Sequence, residues 1–195
     1  MSSLTLMIYV LLALVACLSP RLADAAIDVT AYHAGDTIVV VANTDVPVTL
    51  SEAWAVLNDY DHHAKFIVDL KTSQIISQPG EPLRVAQTKV SRFGPFRFSV
   101  ESTWEIETAT CDTVTARSVG GNIGEVEVVT LLHASGGSTR ISYHVYSILK
   151  TLLPTRFIVG MVESDMVQRL QGLSDEMLRR NTLPSADRST PVPSC

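Results

Sequence analysis

Residues 156–180 read RFIVGMVESDMVQRLQGLSDEMLRR, a pattern that predicts one long amphipathic helix. Apolar side chains recur there at steps of three and four residues, which places them on one face. A helix of about 25 residues at about 1.5 Å per residue is about 37 Å long. A strand of about ten residues spans a similar length, so this helix can lie across a whole sheet. The apolar stripe consists of Val159, Val162, Met166, Leu170, Leu173 and Met177.

The residues before this helix predict an antiparallel sheet. In FRFSVESTWEI (96–106), Phe98, Val100 and Trp104 alternate with charged and hydroxyl side chains. Such alternation is typical of an antiparallel strand with one dry and one wet face. Turns rich in glycine separate this strand from its neighbours, as expected for a series of hairpins. Further strands are predicted at 28–33, 37–46, 84–93, 113–119, 125–133 and 139–149.

A short helical region interrupts the sheet after its first long strand. Pro47 ends the strand, and Thr49 and Glu52 have the spacing of a capping box that starts a helix. This helix is expected in SEAWAVLND (51–59), with Ala53, Trp54 and Leu57 buried. The segment NDYDHHAKF (58–66) follows it and combines carboxylates with two adjacent histidines.

The composition of 58–66 suggests a metal or acid/base site, but its spacing does not. Adjacent histidines point about 100° apart on a helix and about 180° apart on a strand, so His62 and His63 cannot readily share one ion. The chain also lacks HExxH and G-x-S-x-G motifs. We therefore predict no metal, no cofactor and no catalytic residue, and a helical connector with both histidines exposed. Tyr143, Ser102 and Arg117 are only isolated candidates for proton transfer.

The first residues predict export. An apolar run from Leu4 to Leu18 precedes the small-residue pattern Ala23-Asp24-Ala25, so residues 1–25 are interpreted as a cleaved signal peptide. Alternatively, Leu14-Val15-Ala16-Cys17 resembles a lipobox, which would make Cys17 a lipidated first residue. Both interpretations predict a periplasmic, secreted or membrane-anchored location. Residues 26–181 then form one domain, and 182–195 form a disordered tail without an apolar period.

Charge and cysteine content restrict the partners. The net charge is −5, and removing residues 1–25 leaves it unchanged because one arginine and one aspartate are lost together. Without a basic run, nucleic acid is not an expected partner. The mature chain retains Cys111 and Cys195, and an unpaired Cys111 is favoured over a bridge between them.

Several segments together resemble one known family. The order of a capped short helix, a connector, hairpin strands and a sheet-length terminal helix is similar to the START-like (SRPBCC) superfamily. Within it, the chain resembles the polyketide cyclase/dehydrase and coenzyme Q-binding branch, as an exported bacterial member. The resemblance covers about residues 35–180 and rests on VTLSEAWAVLNDYDHHAKFIVDLKTSQII, RFGPFRFSVESTWEIE, STRISYHVYSIL and LLPTRFIVGMVESDMVQRLQGLSDEMLRR.

The resemblance implies an α+β helix-grip fold, in which a curved antiparallel sheet wraps around the C-terminal helix. Members of the superfamily hold an elongated apolar cavity between sheet and helix. In this chain Tyr60 and Phe66 match aromatic positions of the connector near the cavity mouth. The implied lining consists of Phe98, Val100, Trp104, Val162, Met166 and Leu170.

This fold hosts several activities, so more than one function remains open. The preferred hypothesis is binding or carriage of a lipid-like, quinone-like or polyaromatic molecule. A cyclase/dehydrase-type enzyme acting in the same cavity is the alternative. An interaction domain whose interior is filled by its own side chains is a third. A buried Arg, Tyr or Glu facing the ligand would favour the enzyme, and a uniformly apolar cavity the carrier.

Overall fold

The computed structural model describes residues 26–93, 96–148 and 155–183, and within them an eight-stranded antiparallel sheet faces one long helix. The spatial strand order is β1-β2-β8-β7-β6-β5-β4-β3, so the first hairpin lies beside the last strand. The sheet is curved and unclosed, which is the predicted helix-grip arrangement. The strands are β1 (Ile27–Ala34), β2 (Thr37–Val46), β3 (Leu70–Ile75), β4 (Leu83–Phe93), β5 (Phe96–Thr110), β6 (Thr113–Gly121), β7 (Glu125–Ser135) and β8 (Ser138–Ile148).

The predicted helices are confirmed. Helix α1 (Leu50–Leu57) begins with the expected capping box, in which the Thr49 hydroxyl accepts from the Glu52 amide at 3.3 Å and the Glu52 carboxylate accepts from the Thr49 amide at 2.9 Å. Helix α2 (Thr155–Asn181) differs from the predicted 156–180 by one residue at each end. The connector contains a 3-10 helix (Tyr60–Lys65).

Strand β3 was not predicted, for a local reason. Its sequence LKTSQI carries a register shift between Leu70 and Thr72, and Asp69 just before it has a positive φ of 63°. The bulge disrupts the two-residue alternation by which a half-buried strand is recognised.

The core lies between the sheet and the helices. Leu170, Leu173 and Met177 of α2 are fully buried, as is Ala53 of α1, and Trp54 of α1 is 3% exposed. The buried stripe predicted for α2 is therefore present in its C-terminal half. Its N-terminal half is less covered: Val159 and Val162 are only partly buried. The helix thus fills one end of the space under the sheet and leaves the other end open.

Two features predicted at the chain ends lie outside the described residues. These are the signal peptide at 1–25, with the alternative lipidation at Cys17, and most of the tail at 182–195. The preference for an unpaired Cys111 is wrong, since Cys111 is disulfide-bonded. Both other cysteines, Cys17 and Cys195, lie outside the described part of the chain.

Candidate ligand cavity

A cavity of about 720 Å³ lies between the concave face of the sheet and helix α2. Strands β4 to β8 form its wall, and the cavity runs along the helix from Ile158 to Arg169. The 11 residue steps from Ile158 to Arg169 correspond to about 16 Å. Most lining side chains are apolar. The volume falls within the range of about 300–1,000 Å³ that is typical of small-molecule sites.

Five of the six residues predicted as cavity lining border this space. Phe98, Val100 and Trp104 project from β5, and Val162 and Met166 project from α2. The alternation in β5 thus corresponds to one face of the strand that borders the cavity. Leu170 does not border the cavity: it is fully buried in the core beyond its inner end.

The two aromatic residues predicted at the cavity mouth have different positions. Tyr60 borders the cavity but is buried at its inner end, near Tyr143 and Arg169. Phe66 does not border the cavity and instead lines a second pocket together with Val68 and Gly172. The connector therefore closes the inner end of the cavity, and the placement of these residues at its mouth is wrong.

The other end of the cavity is the more open one. Phe98 there is 39% exposed, and Gly124 and Ile148 border the same end. Residues Ile148 and Glu125 are direct partners in the β7–β8 ladder, as are Tyr143 and Thr130. On each strand, the open end and the inner end are therefore five residue steps apart, or about 17 Å.

Polar side chains meet at the inner end. Tyr143 and Thr130 face each other across β8 and β7, and Arg169 approaches them from α2. Burial raises the pKa of the Tyr143 hydroxyl, although its interactions with Arg169 and Thr130 act in the opposite direction. Burial likewise raises the pKa of Tyr60. Both tyrosines therefore remain protonated at neutral pH. The Tyr60 hydroxyl donates to Asn58 Oδ1 at 3.4 Å, whereas the Tyr143 hydroxyl can donate a hydrogen bond into the cavity.

The expected exposure of His63 is wrong, because its side chain is only 1% exposed and borders the cavity. Its Nε2 lies 3.3 Å from the Val56 carbonyl oxygen, and its ring packs edge-on against Tyr60 and Phe66. Burial, together with the nearby Arg169 charge, lowers the pKa of His63 to about 3. No sequence signal distinguishes it from His62, which remains half-exposed and contacts Asp59.

This buried histidine predicts a pH dependence of stability. The unfolded chain takes up a proton below the ordinary pKa of 6.5, whereas the folded chain resists protonation down to about 3. Stability must therefore fall as pH decreases through this window, by up to about 1.4 kcal/mol per pH unit. In urea titrations between pH 7 and 5, the wild type should lose about 2 kcal/mol more than His63→Gln does. Parallel pH curves for the two proteins would contradict this assignment.

The remaining polar candidates lie apart from this cluster. Arg117 is on the outer face of the sheet, where it pairs with Glu107 and Glu127. Ser102 accepts a hydrogen bond from the Trp104 indole at 2.8 Å. Of the three, only Tyr143 borders the cavity. The described ranges contain no group of three or more His, Cys, Asp or Glu side chains placed to hold a metal ion.

The connector is held against α2 by a network of charges. Asp59 accepts from Arg180 Nη2 at 2.6 Å and contacts His62 Nδ1 at 2.6 Å. Glu176 binds Arg180 at 2.7 Å from the same helix. Burial alone would raise the pKa of Asp59, but the bonds from Arg180 and His62 outweigh it and hold this pKa below its ordinary value. The network fixes the end of the connector that carries Tyr60 and His63.

None of the helices in the described residues combines the length and hydropathy that spanning a membrane requires. No family model and no curated protein matches the sequence.

Solved structures of similar fold do match. A START superfamily protein from Mycobacterium smegmatis aligns with a TM-score of 0.65 and 11% identity over 72% of this chain and 97% of that chain. A STAR-related lipid transfer protein from Xanthomonas axonopodis aligns with a TM-score of 0.60 and 12% identity over 82% of this chain and 97% of that chain. The Zhui aromatase/cyclase from Streptomyces sp. R1128 aligns with a TM-score of 0.61 and 13% identity over 77% of this chain and 98% of that chain. The START-like (SRPBCC) fold expected from the sequence is thereby confirmed.

Proposed function

We propose, with the START-like fold as the premise, that this domain binds and carries a lipid-like, quinone-like or polyaromatic small molecule. The observation that carries the proposal is the cavity of about 720 Å³ between β4–β8 and α2. Its apolar walls favour burial of an apolar ligand. The name of one similar structure, a lipid transfer protein, agrees with this proposal, and the name of another, an aromatase/cyclase, agrees with the alternative.

The second candidate is an enzyme of the cyclase/dehydrase type. The polar inner end favours it, since Tyr143 and Arg169 both border the cavity. Efficient proton transfer requires a group whose pKa lies near the working pH. Burial moves the two candidate groups in the wrong directions, raising the pKa of Tyr143 and lowering that of His63 to about 3. These shifts support recognition of a ligand by the inner end over acid/base chemistry.

The proposed cavity can be tested by filling it. Val162→Trp adds a large side chain to the cavity wall of α2, whereas Val167→Trp adds the same side chain at a position on α2 that does not border the cavity and is 41% exposed. We expect the wild type and Val167→Trp to bind the neutral apolar dye Nile red with similar affinity. Binding to Val162→Trp should be at least about tenfold weaker, because the new ring occupies the dye's space.

Circular dichroism of both variants checks that they fold. Equal binding by a folded Val162→Trp would exclude this cavity as the dye site. Organic extraction of the wild type followed by mass spectrometry is the complementary measurement. A protein that carries no apolar molecule and binds no dye would contradict the proposed function itself.

We also propose that the protein acts outside the cytoplasm. Support comes from the apolar run and small-residue pattern within residues 1–25. Two kinds of processing are then possible, and intact-mass measurement of the soluble and membrane fractions distinguishes them. Cleavage before Ala26 gives an unmodified chain, and processing at Cys17 gives a lipidated one.

A further inference from the structure

The charge of Arg169 is not paired with any carboxylate within the described residues. Its regular helical partner would be Asp165, four residues earlier on α2. That carboxylate is instead bound to Lys89 Nζ at 2.8 Å. No ion pair forms on Arg169 in the part of the chain that the structure describes, although its side chain is partly buried and borders the cavity. A partly desolvated guanidinium without a counter-charge is unfavourable, and a bound anion would relieve that cost.

The surroundings of Arg169 can accommodate an anion. Tyr143, Tyr60 and Thr130 are uncharged hydroxyl-bearing neighbours at the same end of the cavity. His63 is neutral there and adds no positive charge. Two carboxylates also border the cavity. Asp165 lies one helical turn from Arg169 but is paired with Lys89. Glu125 is exposed and lies five residue steps along β7 from Thr130, or about 17 Å. At that distance its repulsion of an anion is largely screened.

The charge count restricts the anion to one negative charge. Arg169 is the one cation bordering the cavity among the described residues, so a doubly charged phosphate would remain half-compensated. A guanidinium matches the planar geometry of a carboxylate, which can accept two of its N–H groups at once. The Tyr143 hydroxyl can donate to the same carboxylate.

We infer that the ligand is an elongated apolar monocarboxylic acid, bound with its carboxylate at Arg169 and Tyr143 and its apolar body directed toward Phe98. This inference rests on the proposed function and specifies its ligand class. Both long-chain fatty acids and fused-ring aromatic acids contain this chemistry. An apolar body about 16 Å long would reach from Arg169 to Ile158 along the helix.

The test compares an acid with its neutral ester. Dodecanoic acid and methyl dodecanoate have the same apolar chain, and their affinities for the delipidated full-length protein are measured by displacement of Nile red at pH 7.5. We expect the acid to bind at least about tenfold more tightly than the ester, because only the acid neutralises Arg169. A fused-ring pair, anthracene-2-carboxylic acid and its methyl ester, shows whether chain or ring bodies are preferred.

Variants of Arg169 and Tyr143 test whether these residues cause the preference for the acid over the ester. Arg169→Met should bring the acid-to-ester affinity ratio to about one while leaving ester binding in place, and Tyr143→Phe should reduce the ratio severalfold. Arg169→Lys should retain part of the preference, since it keeps the charge but loses the bidentate geometry. The matched control is Arg140→Gln, which removes the same charge from an exposed pair with Asp45 on the outer face. It should leave the ratio unchanged.

Three results overturn the inference. Equal affinities of acid and ester in the wild type would do so without any variant, as would a preference that persists in Arg169→Met. A ratio that falls equally in Arg140→Gln would attribute the effect to net charge alone. These results leave the proposed function intact, because the esters still bind. If neither acids nor esters displace the dye and the dye itself does not bind, the proposed function fails as well.

Discussion

Replacing Gly172 by alanine is expected to lower the free energy of unfolding by about 3 kcal/mol, near the upper end of the range for overpacked sites. A Cβ at this position of α2 would lie 2.3 Å from the Phe66 carbonyl oxygen and 3.3 Å from the Ile67 Cα. Both atoms belong to the backbone of the connector, so no side-chain rotation can relieve the clash. The helix and the connector would have to separate, which also disturbs Tyr60 and His63. Urea unfolding gives the stability change, and Nile red titration should show weaker binding.

The same helix provides a matched control. Gly160 has no atom within 4 Å of an added Cβ. Gly160→Ala should therefore raise the free energy of unfolding by about 0.5–1 kcal/mol, because alanine is the better helix former. If Gly172→Ala were neutral or stabilising like Gly160→Ala, the close approach of connector and helix would not exist in the protein.

Removing the Asp59 carboxylate is the second change with a large expected effect. Asp59→Ala should lower the free energy of unfolding by about 2–3 kcal/mol, because a charge-assisted hydrogen bond is lost and Arg180 remains mostly buried. Arg180 already has Nη1 buried without a partner, and the variant would leave Nη2 unpaired as well. Its bond to Glu176 remains, so a complete loss of folding is not expected.

An exposed ion pair provides the comparison. Asp45 and Arg140 are separated by 2.7 Å but are each about half exposed, so Asp45→Ala should cost less than about 1 kcal/mol. Equal losses for both variants would contradict the structural role of the Asp59 network.

The Asp59 contribution also has a defined pH dependence. Its pKa is lowered in the folded chain from the ordinary value of 3.8. The contribution is therefore complete above that value and disappears as pH falls through the lower folded pKa. The difference between wild type and Asp59→Ala should thus persist at pH 5 and shrink below about pH 4. The His63 effect occupies the higher window between 6.5 and about 3, so the two can be separated by their variants.

The secondary structure and the general fold were predictable because they depend on local periodicity. The α2 stripe and the alternation in β5 each define one apolar face, and Thr49 with Glu52 marks a helix start. Such signals require only the spacing between neighbouring residues. Five of the six residues proposed from these signals border the cavity, since one face of β5 and one face of α2 meet beneath the curved sheet.

Positions along the cavity were not predictable in the same way. Leu170 has the same helical spacing as Met166, but the connector and α1 cover the helix at Leu170 and leave a cavity at Met166. His62 and His63 are adjacent in the sequence, yet one is half exposed and the other is fully buried against Val56, Tyr60 and Phe66.

Arg169 shows the difference most clearly. A helical arginine four residues after an aspartate predicts a surface ion pair. In the folded chain, Asp165 instead forms an ion pair with Lys89 of β4, and Arg169 borders the cavity without a partner carboxylate in the described residues. The sequence by itself thus determined which faces are apolar and how the elements follow one another. Only the tertiary structure decided which charges are paired, which end of the cavity is closed and which polar groups face a ligand, because these depend on contacts between residues far apart in the chain.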